Sequence, residues 1–297
     1  MQFYYIPKLN YYKPKSLNEA LKLLNELKEA KVIAGGTDLI VDIKTRRIKP
    51  PKNLIDISEI SELKYIEENE NSIKIGAAAT LQEILESKII NDNIPVLAEA
   101  INNMGSWHLR NIATIGGNLC NASPAADTAP PLLILNANVK LRSIENERII
   151  PLIKFFHGPR LTELKPNEIM TEIIIPKPPE KCGMKFLKLG RRNAHTLSIV
   201  AVATLVKVEN DKFSDVRISL NAVAPTPIRA FKTERALIGM QVDIKTIENK
   251  VKRVAEEINP ITDVRASAEY RREMSVILTR DAIIESLKNL GFKLEVD

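Results

Sequence analysis

Apolar residues recur at helical spacing near the start of the chain. Ser16-Leu-Asn-Glu19 is a capping-box pattern, and the apolar residues around it share one helical face, at Leu17, Ala20, Leu21 and Leu24. Residues 31–36 have the pattern of a short buried strand ending in two glycines, and residues 39–41 fit the start of a helix. Residues 53–57 have the pattern of another strand. These segments predict a small first lobe of mixed helix and strand.

Alternating and helical patterns continue into a second lobe. Residues 72–76 alternate as a strand does, and residues 80–83 repeat the capping box before another short helix. Residues 94–104 form an apolar helical stretch, and the segment after Pro130-Pro131 fits either a helix or a strand. Three more strands are predicted, the first two as the arms of a hairpin, at residues 139–142, 148–150 and 168–175.

The linker candidate with the strongest signal is Pro176-Lys-Pro-Pro-Glu-Lys181, because proline lacks the N–H that a ladder or a helix needs. Beyond it, residues 200–208 and 216–220 fit two strands around a polar turn. A last helix carries apolar side chains on one face, at Tyr270, Met274, Ile277, Leu278 and Ile284. We expect an α+β sheet with helices on one side in this part. The predicted regions are residues 1–58, 59–176 and 177–297.

Composition narrows the class of protein. The 297 residues are 44% hydrophobic and 27% charged, so the chain can bury a large core. Cys120 and Cys182 are too few for a disulfide framework, a four-thiolate zinc site or an iron–sulfur cluster. The first residues lack the layout of a signal peptide, and no apolar run approaches the length of a membrane span. We therefore expect a cytoplasmic protein.

The formal net charge of +6 suits an anionic ligand or partner. Charge alone leaves a nucleic-acid-binding protein open, but no recognised motif supports it, and we expect no nucleic-acid partner. The motifs of serine hydrolases, P-loop proteins, Rossmann folds and zinc proteases are absent from the sequence. His108, His157 and His195 are far apart and lack ligand-spaced neighbours, so we expect no metal site.

Two double-glycine segments are the main candidates for chemistry, Ala34-Gly-Gly-Thr-Asp38 and Thr114-Ile-Gly-Gly-Asn118. Glycine permits positive φ and close approach to a ligand, so consecutive N–H groups can converge on an anion such as a diphosphate. A helix beginning near Thr37 would add its N-terminal N–H groups. The side chains of Thr37, Thr114 and Asn118 can donate as well. Each segment taken alone also fits an ordinary tight turn.

Longer motifs around these segments resemble those of a known family. The glycine segments lie within residues 33–40 and 114–133, and three later motifs accompany them: Lys188-Leu-Gly-Arg-Arg192, Ala224-Pro-Thr-Pro-Ile-Arg229 and Ser267-Ala-Glu-Tyr-Arg-Arg272. Over essentially its whole length the chain resembles the FAD-binding (medium) subunit of molybdenum hydroxylases. That family includes carbon monoxide dehydrogenase, xanthine dehydrogenase and archaeal aldehyde or glyceraldehyde oxidoreductases. The resemblance implies a vanillyl-alcohol-oxidase-type (PCMH-type) FAD-binding fold of two N-terminal α+β lobes and a C-terminal small antiparallel sheet with helices.

The resemblance also implies which residues contact FAD. The first segment would wrap the diphosphate and ribityl region with Ile33, Ala34, Gly35, Gly36, Thr37, Asp38, Leu39 and Ile40. The second would hold the diphosphate from the other side with Thr114, Ile115, Gly116, Gly117 and Asn118. Asp127 would accept a hydrogen bond from the cofactor, while Met104 and Met170 would contact the flavin. Lys188, or its neighbour Leu187, would lie at the flavin, where a cation raises the reduction potential.

Ordinary roles remain open for these side chains. Asp127 also fits a helix cap, and Met104 and Met170 also fit core positions, where methionine fills irregular gaps. Lys188 also fits an exposed basic patch with the arginines that follow it.

The implied function is electron transfer. FAD would sit on this chain, with the molybdenum cofactor on a large molybdopterin subunit and two-iron, two-sulfur clusters on a small iron–sulfur subunit. The FAD would take electrons from the iron–sulfur subunit and pass them to an external acceptor, with aldehyde as the expected substrate of the complex. A dimer of such heterotrimers is expected. No residue of this chain is expected to be catalytic, and the alternative is a self-contained FAD-dependent oxidoreductase acting on its own substrate.

Overall fold

A computed structural model describes residues 6–193 and 195–294 of the chain. The first lobe is a three-stranded parallel sheet in the order β1-β3-β2, with one helix in each connection. Its elements are β1 (Asn10–Tyr12), α1 (Leu17–Glu26), β2 (Ala30–Ile33), α2 (Leu39–Lys44) and β3 (Asn53–Asp56). The Ser16 hydroxyl accepts from the Glu19 N–H at the start of α1, which confirms the predicted N-terminus of this helix.

The second lobe is built on a five-stranded antiparallel sheet in the order β4-β5-β10-β6-β7. Its strands, together with a small two-stranded ribbon of β8 and β9, are β4 (Ile66–Glu68), β5 (Ser72–Gly76), β6 (Asn138–Arg142), β7 (Glu147–Pro151), β8 (Phe156–Gly158), β9 (Leu161–Thr162) and β10 (Ile169–Pro176). Its helices are α3 (Leu81–Glu86), α4 (Lys88–Asn93), α5 (Pro95–Asn102), α6 (Trp107–Arg110), α7 (Ile115–Cys120) and α8 (Ala129–Ile134). Pro130 and Pro131 lie in the first turn of α8, so the undecided segment is helical.

The C-terminal part is a four-stranded antiparallel sheet in the order β11-β12-β13-β14. Its elements are β11 (Cys182–Gly190), β12 (Ser198–Glu209), β13 (Lys212–Asn221), β14 (Ile228–Arg229), α9 (Phe231–Leu237), α10 (Ile244–Val251), α11 (Val254–Glu257) and α12 (Ala268–Asn289). One face of this sheet shares a core with α9 to α12, as the predicted one-sided arrangement requires. The other face packs against α5 and α8 of the second lobe. None of the described helices is long and apolar enough to cross a bilayer.

Apolar packing and hydrogen bonds join the C-terminal sheet to α5 and α8 of the second lobe. Side chains of β11 and β12 enter the same core cluster as those of α5 and α8, so the C-terminal sheet is fixed against the second lobe by apolar burial. Arg217 and Arg229 donate to the carbonyls of Ile134 and Leu133, at the end of α8. Cationic side chains at a helix C-terminus satisfy carbonyls that have no partner within the helix. The predicted divisions after residues 58 and 176 stay predictions.

Candidate functional site

The two double-glycine segments lie side by side. A Cβ at Gly35 would be 2.0 Å from the Ile112 carbonyl oxygen and 3.1 Å from the Ala113 Cα, so only glycine fits there. Ala113 directly precedes Thr114, the first residue of the second segment. The first lobe therefore meets the second lobe through backbone contact at the segments that the sequence singled out.

The first segment has free hydrogen-bond donors. Gly36 has a φ of +67°, which turns the chain from β2 toward α2, and its carbonyl accepts from the Ile40 N–H. In the part of the chain that the structure describes, six consecutive N–H groups have no acceptor, those of Ala34, Gly35, Gly36, Thr37, Asp38 and Leu39. Free N–H groups are normal at the start of a helix, and here they continue back through the glycine turn that precedes it. A run of free donors at a glycine turn is suited to binding an anionic group.

The second segment differs from the prediction. Gly116 and Gly117 are not a turn: they form the first turn of α7, and neither has a positive φ. Thr114 is the N-cap of this helix, and its hydroxyl accepts from the Gly117 N–H at 3.1 Å. Gly116 is needed for close packing instead, because a Cβ there would be 2.6 Å from the Ala77 carbonyl oxygen.

The N–H groups of Ile115 to Asn118 are already used within the fold. Ile115 donates to the Ala79 carbonyl, and Gly116 donates to the Ala77 carbonyl. Asn118 donates its N–H to Thr114. The expectation of consecutive free backbone donors is therefore wrong for this segment. Apart from the Thr114 N–H, what it can offer a ligand is its side chains.

One of those side chains is the amide of Asn118. Its Oδ1 accepts from the Thr128 hydroxyl at 2.6 Å, which orients the amide and leaves the Nδ2 donor without an acceptor among the described residues. The Thr114 hydroxyl oxygen accepts from the Gly117 N–H, and its own proton has no acceptor among the described residues. This proton is therefore available to a ligand.

An acidic pair lies next to the first segment. The pKa of Asp38 is raised, first by desolvation and then by the neighbouring Asp42 carboxylate, while Arg160 acts in the opposite direction. Arg160 forms a two-pronged ion pair with Asp42, and its own N–H donates to Ala122. Sequence reasoning missed Arg160. It ties the helix after the first segment to the loop after α7.

Asp127 and Lys188 were chosen separately from the sequence, and the structure makes them partners. The Lys188 Nζ lies 2.7 Å from Asp127 Oδ2 and 2.9 Å from the Asn103 carbonyl oxygen. Both side chains are only 6% exposed. An ammonium group has three N–H donors, and the third has no acceptor in the described part of the chain. This pair therefore joins the second lobe to β11 and leaves one donor for a ligand.

Two further donors hold the Asp127 carboxylate. The Ser198 hydroxyl lies 2.6 Å from Asp127 Oδ1, and the Asn221 amide lies 2.8 Å from the same oxygen. Ser198 and Asn221 are fully buried at the start of β12 and the end of β13. Neither residue carried a signal in the sequence, since each comes from a strand end that is far from Asp127 along the chain.

Met104 and Met170 lie in the same core cluster and are 8% and 3% exposed. The Met104 carbonyl accepts from Arg110, which fixes the loop between α5 and α6. Leu187 packs with the C-terminal core, whereas Lys188 faces the second lobe. Contact of these residues with a flavin stays a prediction.

The histidine, cysteine and acidic side chains of the described residues form no metal site. In residues 6–193 and 195–294, no group of three or more His, Cys, Asp or Glu side chains is arranged to hold an ion. His157 pairs with Glu163 at 2.7 Å, and His108 contacts the Trp107 ring edge-on. Burial raises the pKa of Cys120 to about 12, so its thiol is not a reactive thiolate near neutral pH.

A buried arginine near the site has an acidic partner. Arg271 is 1% exposed and donates to Asp263 at 2.8 Å. Hydrogen bonding to Arg265, together with the positive charges of Arg265 and Arg271, holds the pKa of Asp263 well below its usual range. A lowered folded-state pKa stabilises the fold at pH values above the unfolded pKa of about 4, and this contribution is lost as the pH falls.

Asp263→Asn is therefore expected to lower the free energy of unfolding by about 2 kcal/mol at pH 7. The difference from the wild type should shrink as the pH falls from about 4 toward 2, because the aspartate then loses its advantage. Urea unfolding at a series of pH values measures both effects. The control is Asp281→Asn, which removes a partly exposed ion pair with Arg280 and should change stability by less than about 1 kcal/mol. A constant difference across the pH range would contradict the prediction.

Two family models match the chain and together span most of it. The FAD binding domain in molybdopterin dehydrogenase matches residues 7–178, and the CO dehydrogenase flavoprotein C-terminal domain matches residues 185–286. The chain therefore belongs to the family of FAD-binding subunits of molybdenum hydroxylases. The expected fold, the oxidoreductase class and FAD as the cofactor of this chain are confirmed by these matches.

Individual relatives are similar over nearly their full length. The glyceraldehyde dehydrogenase medium chain of Sulfolobus acidocaldarius is 32% identical over 283 residues, covering 95% of this chain and 99% of the relative. The xanthine dehydrogenase FAD-binding subunit of Escherichia coli O157:H7 is 31% identical over 288 residues, covering 96% and 98%. A chain of carbon monoxide dehydrogenase from Hydrogenophaga pseudoflava superposes with a TM-score of 0.92 at 30% identity, covering 96% of this chain and 99% of that chain.

Proposed function

We propose that this chain carries FAD between an iron–sulfur subunit and an external electron acceptor in a molybdenum hydroxylase that oxidises aldehydes. The observation that supports the cofactor's place is the run of six free N–H groups in the first segment, beside α7. FAD is an anionic dinucleotide, and its diphosphate is the group that such donors recognise. Bound FAD supplies the redox chemistry, because a flavin can accept electrons singly and release them singly or in pairs.

The described residues fit FAD in two respects. Free N–H groups of the first segment would hold the diphosphate, with the Thr114 hydroxyl and the Asn118 amide as further donors. Lys188 would direct its third N–H and its charge toward the flavin, as a cation that favours the reduced form. The proposed FAD contacts are Ile33, Ala34, Gly35, Gly36, Thr37, Asp38, Leu39, Ile40, Met104, Thr114, Ile115, Gly116, Gly117, Asn118, Asp127, Met170 and Lys188.

The partners are proposed by likeness. Similarity to the glyceraldehyde dehydrogenase medium chain supports aldehyde as the substrate class. A large molybdopterin subunit and a small iron–sulfur subunit would complete the heterotrimer, and a dimer of heterotrimers is the proposed assembly. The cytoplasm is the proposed location, in keeping with two cysteines that are both free.

Reconstitution of the full chain tests the proposal. The purified chain, incubated with FAD and passed through a desalting column, should retain FAD and show the yellow flavin absorption. It should reduce an artificial dye when a chemical reductant is supplied, but should not oxidise glyceraldehyde or other aldehydes by itself. Copurification of the native assembly should recover molybdenum and two other polypeptides. Aldehyde turnover by the isolated chain would favour the self-contained flavoenzyme, and an assembly without molybdenum would overturn the proposal.

A further inference from the structure

Arg271 links two strand ends from within the protein. It is the largest fully buried side chain in the described residues, at 1% exposure, and it lies in the Ser267-Ala-Glu-Tyr-Arg-Arg272 motif. Its Nη1 donates to the Ile199 carbonyl at 2.6 Å and to the Ala222 carbonyl at 2.9 Å. The guanidinium therefore bridges the start of β12 and the residue after β13.

The residues directly before Ile199 and Ala222 in the chain both donate a hydrogen bond to the same oxygen of Asp127. Ser198 comes immediately before Ile199, and Asn221 comes immediately before Ala222. Ser198 and Asn221 donate to Asp127 Oδ1 at 2.6 and 2.8 Å, and Asp127 Oδ2 accepts from Lys188.

Ala222 has an unfavourable backbone conformation. Its φ is +61°, in the left-handed region that costs a residue with a Cβ of order 1 kcal/mol or more. Two bonds hold it there, the one from Arg271 to its carbonyl and one from its own N–H to Pro124 at 2.7 Å. Loss of the hydrogen bond from Arg271 would let the end of β13 relax and would move the Asn221 amide away from Asp127.

We propose that Arg271 is a positioning residue for Lys188, acting through Ser198, Asn221 and Asp127. This rests on the proposed function, in which Lys188 lies at the flavin of bound FAD. The hydrogen bonds from Ser198 and Asn221 partly offset the negative charge of the Asp127 carboxylate. The positive charge of Lys188 therefore dominates the electrostatic potential at the proposed flavin position. Without these hydrogen bonds, the local potential becomes more negative and electron uptake by the flavin becomes less favourable.

Arg271→Lys tests this in the full chain loaded with FAD. One ammonium group cannot bridge both carbonyls and Asp263 in the geometry of a guanidinium. We expect two-electron reduction of the bound FAD to become about tenfold less favourable, which is a midpoint potential about 30 mV lower. Spectroelectrochemical titration of the flavin absorption measures the shift without any substrate.

Arg229→Lys is the matched control. Arg229 is also buried in the C-terminal part, with its side chain 7% exposed, and it also joins two oxygens, on Leu133 and Asn136, to a carboxylate, on Glu234. It touches none of the residues that hold Asp127. A comparable loss of thermal stability is expected in both variants, but only Arg271→Lys should shift the potential. Equal potentials in the two variants would overturn the proposal.

A second comparison separates positioning from general damage. Ser198→Ala removes one donor to Asp127 directly and should lower the potential even if Arg271→Lys does not fold. In a Ser198→Ala, Asn221→Ala background, Arg271→Lys should cause no further shift, because its route to Asp127 is already cut. An unchanged potential in Ser198→Ala, or a full further shift in that background, would refute the positioning role. Failure of the wild type to retain FAD would instead overturn the proposed function, and this inference with it.

Discussion

Replacing Gly35 with alanine should destabilise the protein by about 3 kcal/mol and abolish FAD retention. The new Cβ would lie 2.0 Å from the Ile112 carbonyl oxygen, and this oxygen belongs to the backbone, which cannot rotate away as a side chain can. The first segment would have to move off the second lobe. The N–H groups that we assign to the diphosphate would then no longer lie beside the second segment.

Gly158→Ala is the matched control for that substitution. A Cβ at Gly158 would meet only Leu161 at 3.6 Å, an ordinary van der Waals distance. Urea unfolding and FAD retention on a desalting column should show a wild-type Gly158→Ala protein and a destabilised, colourless Gly35→Ala protein. A yellow Gly35→Ala protein of wild-type stability would show that the two segments are not in contact.

Lys188→Met should lower the free energy of unfolding by about 3–5 kcal/mol, because it leaves the Asp127 carboxylate buried without its counter-charge. Methionine keeps an unbranched side chain of similar length, so the effect is assigned to the lost charge and not to a cavity. The loss should be present in the protein without FAD, since the pair joins two parts of the chain whatever is bound. Urea denaturation of the FAD-free protein measures it.

The double variant Asp127→Asn, Lys188→Met supplies the control. Removing both charges leaves neither one unpaired, so the double variant should be more stable than the sum of the two single losses by about 2 kcal/mol. Additive losses would mean that the two side chains do not interact. FAD retention should be weakened in every variant that lacks Lys188.

Local pattern predicted about half of the helices and strands. The capping-box patterns at Ser16 and Thr80 both begin helices in the structure, and each hydroxyl accepts the N–H three residues on. Only Glu83 closes the box by accepting from the N-cap N–H, whereas Glu19 accepts from Lys15. The hairpin of β6 and β7 forms as predicted, and residues 200–208 and 216–220 lie in β12 and β13, although β12 is buried on both faces. These features depend on bonds between residues close in sequence or on the burial of one face, which a sequence displays directly.

The second glycine segment shows where local pattern failed. A double glycine commonly marks a turn, but here Thr114 caps a helix, and the N–H groups of Ile115 and Gly116 bond to carbonyls of residues 77 and 79. Those carbonyls lie more than thirty residues earlier in the chain, so no local signal reports them. Tertiary contact decided which of the two segments keeps its donors free.

From the sequence by itself, contiguous motifs identified the class of the protein, and caps and apolar periodicity located about half of its helices and strands, because these signals lie between residues close together along the chain. Only the tertiary structure decided that Asp127, Lys188, Ser198 and Asn221 form one buried group. Asp127 and Lys188 are 61 positions apart, and Asp127 and Asn221 are 94 apart. Charges so distant along the chain meet only after the C-terminal sheet has packed on the second lobe, and the cost of burying an unpaired charge then forces them to pair.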